Sequence, residues 1–380
     1  MSENTSYVER FYEGNQITLP ALSCYAGRAV LHDSVELQLP EWLNDITEEE
    51  VEQTIRTMEW GILGHEGSRF RVGWLNHDRR DEEAVAFFST FSSDLGPGNV
   101  FEFAYRAVAM QHRTKRQVPY MYVSTYGRDS SLALRPSEME YAKRTGNLLR
   151  PNDKGEMVAI PTIQHLARAL DNTGLHITRL RGTSAGSAVG LAVGCELGHI
   201  TQTAFDHPMQ ITQTGEFERL VRMRGVEEKI KLPHNKQATN DPWVVTPERE
   251  QMVREALPDL YEPDQSPFTF LEKFQRLRAN AIILGHGVNG HDPLGQTLAA
   301  FFARHPEAKT NLIVGTSDTL YTRKWRKNIQ LLVDRFAHDN AGPFLRFVLL
   351  PGMTHSSGSY RPMLYEALIS DLLELPDSPQ

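Results

Sequence analysis

One hexapeptide constrains this chain more than any other stretch: Gly182-Thr183-Ser184-Ala185-Gly186-Ser187, which reads G-x-S-x-G. A short apolar run, His176-Ile177-Thr178-Arg179-Leu180, precedes it, and an alanine-, glycine- and valine-rich helical pattern follows at 188–193. Strand, sharp turn, helix is the context in which this motif carries chemistry. Such a turn holds its serine in a strained backbone conformation, so small residues must flank it on both sides. Gly182 and Gly186 let the strand and helix approach closely, and Ala185 adds little bulk. The serine then stands at the top of a sheet and at the N-terminus of a helix. There, free N–H groups and the helix dipole favour developing negative charge. A glycine-rich turn with an ordinary serine would show the same letters, so the surrounding pattern has to decide.

That pattern alternates. Ala84-Val85-Ala86-Phe87-Phe88 is a continuous apolar run of the kind a buried parallel strand needs. Val100, Phe103, Ala104, Ala107 and Val108 recur at the spacing of an amphipathic helix. A strand is expected over 118–125, and then a charged surface excursion over 132–158. Ile163, Leu166, Ala167 and Leu170 mark a helix ended by Gly174, before the strand that leads to Ser184. Earlier, Thr47 and Glu50 form a capping-box signature, and 60–76 reads as a hairpin. Only 36–40 suggests a strand in the first fifty residues. After a strand expected at 200–205, residues 207–278 break the alternation with charged helical patches at 216–231 and 247–257. It resumes with strands at 281–285, 311–315 and 345–350. Helices are expected near 298–303, around Trp325 and Phe336, and over 363–373. Alternation of this kind implies an α/β fold with a mostly parallel sheet, whose ligand site lies beyond the carboxyl ends of the strands.

Bulk properties narrow the function classes. The formal net charge of -8 over 380 residues argues against a general nucleic-acid binder. No run approaches the roughly 18 apolar residues of a membrane span, and residues 1–6 lack the start of a signal peptide. Cys24 and Cys195 are the two cysteines; they make no disulfide framework, so a reducing cytoplasm is the expected location. Cys195 reads as a buried packing residue.

A serine nucleophile needs a general base, and the base needs a partner that fixes its tautomer. Asp318, in Gly315-Thr316-Ser317-Asp318, follows one expected strand; His355, in Gly352-Met353-Thr354-His355, follows the last. Asp292 competes with Asp318, because Gly285 to Asp292 also ends a strand. The spacing before the histidine strand favours Asp318, although an aspartate there also suits a helix cap. His286, His291 and Asp292 lack the spacing of a metal site, and no metal or other cofactor is expected. Arg219, Arg222, Arg224, Lys229 and Lys231 alternate with acids, as on a solvated helix face.

Over roughly residues 60–375 the chain resembles the α/β-hydrolase family of serine esterases and lipases. Gly182 to Gly186 looks like the family's nucleophile elbow, Gly315 to Asp318 like its acid loop, and Gly352 to His355 like its histidine loop. Phe88-Ser89-Thr90-Phe91-Ser92-Ser93 occupies the place of the oxyanion stretch, with Ser89-Thr90 where the family usually has His-Gly. Residues 123–130 resemble the turn after the following strand. The resemblance implies an α/β-hydrolase fold: a mostly parallel central sheet flanked by helices, with a helical cap. Residues 56–206 and 279–380 would form the core, 207–278 the cap, and 1–55 an N-terminal extension. It also implies a triad of Ser184, Asp318 and His355. The oxyanion donors would be the N–H groups of Ala185 and Phe91, with Ser92 the alternative to Phe91. The expected activity is hydrolysis of a carboxylic ester, or a related acyl bond, in a small-molecule substrate. The rival readings are a catalytically silent scaffold that binds a ligand or partner, and an acyltransferase or peptidase on the same fold.

Overall fold

The computed structural model describes residues 16–25, 28–38, 40–89, 96–124, 134–145, 147–206, 241–261, 293–315, 344–350, 363 and 365–366. A single ten-stranded sheet runs through them. It is built from β1 (Gln16–Tyr25), β2 (Arg28–Gln38), β3 (Glu59–His65), β4 (Ser68–Leu75), β5 (Glu83–Phe88), β6 (Tyr120–Val123), β9 (His176–Thr183), β10 (Gln202–Asp206), β11 (Lys309–Gly315) and β12 (Phe344–Leu350). The strand order is β2-β1-β12-β11-β10-β9-β5-β6-β4-β3. The six strands from β12 to β6 pair in parallel. An antiparallel hairpin extends the sheet at each edge, β3–β4 beside β6 and β1–β2 beside β12. A separate small hairpin joins β7 (Leu149–Pro151) and β8 (Met157–Ala159).

Alternation along the strands divides the core between two faces. Ala84, Ala86 and Phe88 of β5 pack with α4 (Pro161–Asp171), α5 (Ala185–Gly194) and α7 (Pro293–Arg304). Val85 and Phe87 point the other way, towards α1 (Glu48–Thr57) and α2 (Pro97–Thr114). The expected layers are therefore present, a mostly parallel sheet with helices on both faces. Each large apolar side chain buried in this way contributes about 1.5–3 kcal/mol.

Local signals account for several elements. The Thr47 side chain accepts from the Glu50 N–H, and the Glu50 carboxylate accepts from the Thr47 N–H at 2.8 Å, so the capping box starts α1. The β3–β4 hairpin closes on Glu66 and Gly67 at φ 46° and 81°, the type I′ turn that a two-residue hairpin favours. Cys195 is buried as expected; burial pushes its thiol pKa upward, with a smaller push from Glu196.

Other elements differ from expectation. Residues 16–38, expected within an N-terminal extension and as strand only near 36–40, contribute β1 and β2 to the central sheet. Pro20 interrupts the apolar pattern there, and the β1–β2 register shifts between Leu19 and Ala21, as a proline in a strand requires. The stretch 132–158 is not a surface excursion where it is described. It holds α3 (Pro136–Thr145) and β7, and Ala142 and Leu149 are fully buried. Glu138 of α3 is buried because its carboxylate accepts from the Thr162 N–H at 2.9 Å and the Thr162 hydroxyl at 2.6 Å. It thereby satisfies a donor that the start of α4 leaves unpaired. Helix α2 is not amphipathic either: residues 100–110 are all buried. The cause is α6 (Pro247–Ala256), which packs with α1 over its outer face.

Candidate active site

Ser184 sits between the end of β9 and the start of α5, in the middle of the sheet. Its backbone is at φ 54°, ψ -120°. For a residue with a Cβ this region costs on the order of 1–3 kcal/mol and persists only where the surroundings enforce it. The enforcing contacts are present. The Ser184 N–H donates to the Asp206 carbonyl at 2.9 Å, anchoring the turn to the adjacent strand β10. The Thr183 hydroxyl donates to the Asp206 carboxylate at 2.8 Å, and the Ser187 hydroxyl to the Asp206 carbonyl at 3.2 Å.

Glycine is required on both sides of the turn. A Cβ on Gly182 would lie 3.0 Å from the backbone of Gly186 and Ser187. A Cβ on Gly186 would overlap the carbonyl oxygens of Phe88 and Ser89. The first turn of α5 thus lies directly on the carboxyl end of β5. A strained serine turn between a central parallel strand and a glycine-packed helix is the strand–turn–helix elbow expected at 182–187. The scaffold is an α/β-hydrolase fold.

On the hydrolase fold the carboxyl ends of the parallel strands share one edge. Phe88, Thr183, Asp206, Gly315 and Leu350 end β5, β9, β10, β11 and β12 there. Ser184 is 5% exposed at that edge, and the N–H of Ala185 opens a helix whose first N–H groups lack intrahelical acceptors. Asp318, His355 and Phe91 lie outside the described residues, as do Ser92, Asp292, His286 and His291. The strands before Asp318 and His355 are described. β11 ends at Gly315, three residues before Asp318, and β12 at Leu350, five before His355. Of the expected cap, 241–261 is described, and it lies against α1 and α2: Trp243 stacks on Tyr105 with ring centroids 4.8 Å apart.

Beneath the elbow is a buried charge network that the sequence reading did not anticipate. Arg106 of α2 pairs with Glu102 one turn earlier, and lies 3.9 Å from both Asp206 and Glu366. Arg181 of β9 reaches Glu366 at 3.1 Å and the Tyr120 hydroxyl at 3.1 Å. Burial opposes the charge on Arg106, but Glu102, Asp206 and Glu366 together hold its pKa above the ordinary value. Arg181 is held up in the same way, chiefly by Glu366 against its burial. A signal was available: Glu102 and Arg106 are charged residues four apart inside the otherwise apolar run 100–110.

Among the described residues, no group of three His, Cys, Asp or Glu side chains is placed to hold a metal ion. No helix among them is long and apolar enough to cross a membrane.

No family model matches the sequence, and no curated protein matches it. Among solved structures the chain is similar to the carboxylesterase CesB (YbfK) from Bacillus subtilis, at 11% identity, covering 86% of this chain and 96% of that one, with a TM-score of 0.43. It is similar to the naproxen esterase of Bacillus subtilis at 11% identity, covering 85% and 98%, with a TM-score of 0.45. It is also similar to MGS-M2, an α/β-hydrolase enzyme from a Medee basin deep-sea metagenome library, at 12% identity, covering 84% and 99%, with a TM-score of 0.47.

Proposed function

We propose that the protein is a serine hydrolase that cleaves a carboxylic ester, or a related acyl bond, through an acyl-enzyme intermediate. The observation that carries this reading is the Ser184 backbone, held at φ 54° between a central strand and a helix N-terminus. Strain of this kind clusters at active sites and ligand clamps, where it is part of the mechanism. In the proposed reaction the Ser184 oxygen attacks the acyl carbon while its proton passes to His355. Asp318 fixes the imidazole tautomer and stabilises its charged form. The N–H groups of Ala185 and Phe91 hold the oxyanion; losing one such donor typically costs about 3 kcal/mol in the barrier. Collapse of the tetrahedral adduct expels the alcohol, which takes its proton from His355. Water then repeats the sequence and releases the acid.

The expected order of parts along the chain supports this assignment. Asp318 and His355 follow strands β11 and β12 in the chain, and these strands continue the parallel sheet beyond β10 on one side of the elbow. In this reading residues 56–206 and 279–380 form the catalytic core, and 207–278 form a cap that shapes the acyl or alcohol pocket and excludes water. A buried, reduced Cys195 suits a cytoplasmic enzyme.

The test is turnover on a panel of esters, thioesters and peptides, with Ser184→Ala as control and an alcohol acceptor added in parallel. Ester hydrolysis by wild type that vanishes in Ser184→Ala supports the reading. Asp318→Asn should abolish most of it and Asp292→Asn should leave most of it; the reverse names Asp292 as the acid. Acyl transfer to the acceptor in preference to water would make the enzyme a transferase. No turnover of any substrate by folded protein would favour the silent scaffold, consistent with Ser89-Thr90 in place of His-Gly.

A further inference from the structure

Asp241 joins two parts of the chain that are 122 positions apart. Its carboxylate accepts from the Trp243 N–H at 2.9 Å with one oxygen and from the Met363 N–H at 3.0 Å with the other. The segment around Asp241 is fastened to α2. Trp243 stacks on Phe101 and Tyr105. The Arg249 guanidinium covers the Trp243 ring at 5.2 Å and donates to the Pro242 and Val244 carbonyls at 2.8 and 2.7 Å. On the other side of the bridge, residues 363, 365 and 366 are helical and buried. Glu366 pairs with Arg181 and lies 3.9 Å from Arg106. Two neighbours on α2 therefore hold this stretch at two points: Tyr105 holds Met363 through Trp243 and Asp241, and Arg106 holds Glu366. Apolar packing is non-directional, whereas one carboxylate bonded to two backbone N–H groups fixes where they lie relative to each other. Burying a carboxylate, as Asp241 is buried, costs more than burying an apolar side chain of its size unless those bonds are made. Packing alone does not account for it.

We propose that Asp241 is a positioning residue for His355, the base of the reaction proposed above; the inference rests on that reading. Residues 351–362 include His355 and run between two described anchors, Leu350 at the end of β12 and Met363. The sheet holds the first, where Leu350 pairs with Gly315 of β11. Asp241 holds the second. Losing that bond frees one end of the stretch that carries the base, and a reacting group about 1 Å out of place can cost about a hundredfold in rate. Asp241 also belongs to 207–278, the stretch expected as the cap. The part of the chain expected to shape the pocket is thus tied to the part that carries the base.

Hydrolysis of p-nitrophenyl acetate and the rate of fluorophosphonate labelling, measured side by side, test the role. Both need an activated Ser184, but only the first depends on how the pocket holds an acyl substrate. Asp241→Ala should lower kcat and the labelling rate together, by at least about tenfold, with KM within about twofold of wild type. Asp241→Asn keeps one acceptor oxygen and should fall between Asp241→Ala and wild type, which also guards against an alanine variant that does not fold. Amide hydrogen exchange at Met363 should be faster in both variants, a direct report on the anchor. Folded variants with wild-type kcat, or with unchanged exchange at Met363, overturn the proposal. So does a raised KM with wild-type labelling, which would place Asp241 in substrate binding. Turnover that persists in Ser184→Ala, or no turnover and no labelling in wild type, overturns the underlying reading and this proposal with it, even where exchange at Met363 still responds to Asp241.

Discussion

The backbone N–H of Ser184 donates to the carbonyl oxygen of Asp206 across 2.9 Å, while the Asp206 carboxylate takes the Thr183 hydroxyl at 2.8 Å. One residue of β10 thus grips both the strained serine and the residue before it. The same carboxylate lies 3.9 Å from Arg106, so the elbow rests on the buried charge network rather than on packing alone.

Removing that carboxylate takes the acceptor from the Thr183 hydroxyl and one of three negative charges from around the buried Arg106. Breaking one partner out of a buried ion pair costs about 3–5 kcal/mol. Asp206→Ala should lower the urea unfolding free energy by at least about 3 kcal/mol. A loss near that of an exposed pair, under about 1 kcal/mol, would show that the network does not support the elbow.

The positive φ of Ser184 makes a prediction that side-chain contacts alone would not. Alanine keeps the backbone strain, whereas glycine relieves it at the expense of a more flexible unfolded chain. Ser184→Gly should therefore be more stable than Ser184→Ala by about 1 kcal/mol, with both inactive. At an ordinary helical position the order would be the reverse. Thermal or urea unfolding of the two variants decides it.

Glu366 is 1% exposed and bonds to Arg181 at 3.1 Å. It stands eleven residues after His355 in the chain. Glu366→Ala should cost about 3–5 kcal/mol of stability. It should lower kcat more than it raises KM, because it releases the segment that follows the proposed base His355. Full stability combined with full activity in this variant would contradict that role.

His305 carries a pH dependence. It is buried, its Nδ1 accepts from the Ile200 N–H at 3.3 Å, and its Nε2 faces the Gly194 carbonyl at 2.8 Å. Burial lowers its pKa below the ordinary value of about 6.5, with Arg304 and His199 adding to the effect and the Gly194 bond opposing it. Above about pH 6.5 both folded and unfolded states hold it neutral. Below that the unfolded state takes up the proton first, so stability falls as pH drops towards the folded-state pKa. The urea midpoint should decline with acidity over this window, and His305→Gln should flatten the decline. An identical slope in both proteins would place the titration elsewhere.

The parts legible in the sequence were those written locally. The elbow shows as small residues around Ser184, α1 as the Thr47–Glu50 capping box, and β5 as an unbroken apolar run. What stayed hidden depends on partners far away in the chain. β1 joins the sheet through β12, with Leu22 opposite Phe347, and Pro20 masks its period. Helix α2 looked one-sided because nothing at 97–114 announces that α6 covers its other face. Glu138 looked like surface because its partner, Thr162, lies 24 positions on. The charge network combines the same obstacles: Arg106, Arg181, Asp206 and Glu366 come from four separate segments.

The most direct measurement is the intact mass of the protein after treatment with a fluorophosphonate, which phosphonylates an activated serine and loses fluoride. Wild type should gain one adduct, mapped to Ser184 by peptide mass. Ser184→Ala should gain none, while showing the same circular dichroism spectrum. Folded wild type that takes up no label, or a Ser184→Ala protein labelled as fully as wild type, would contradict the assignment of Ser184 as the nucleophile.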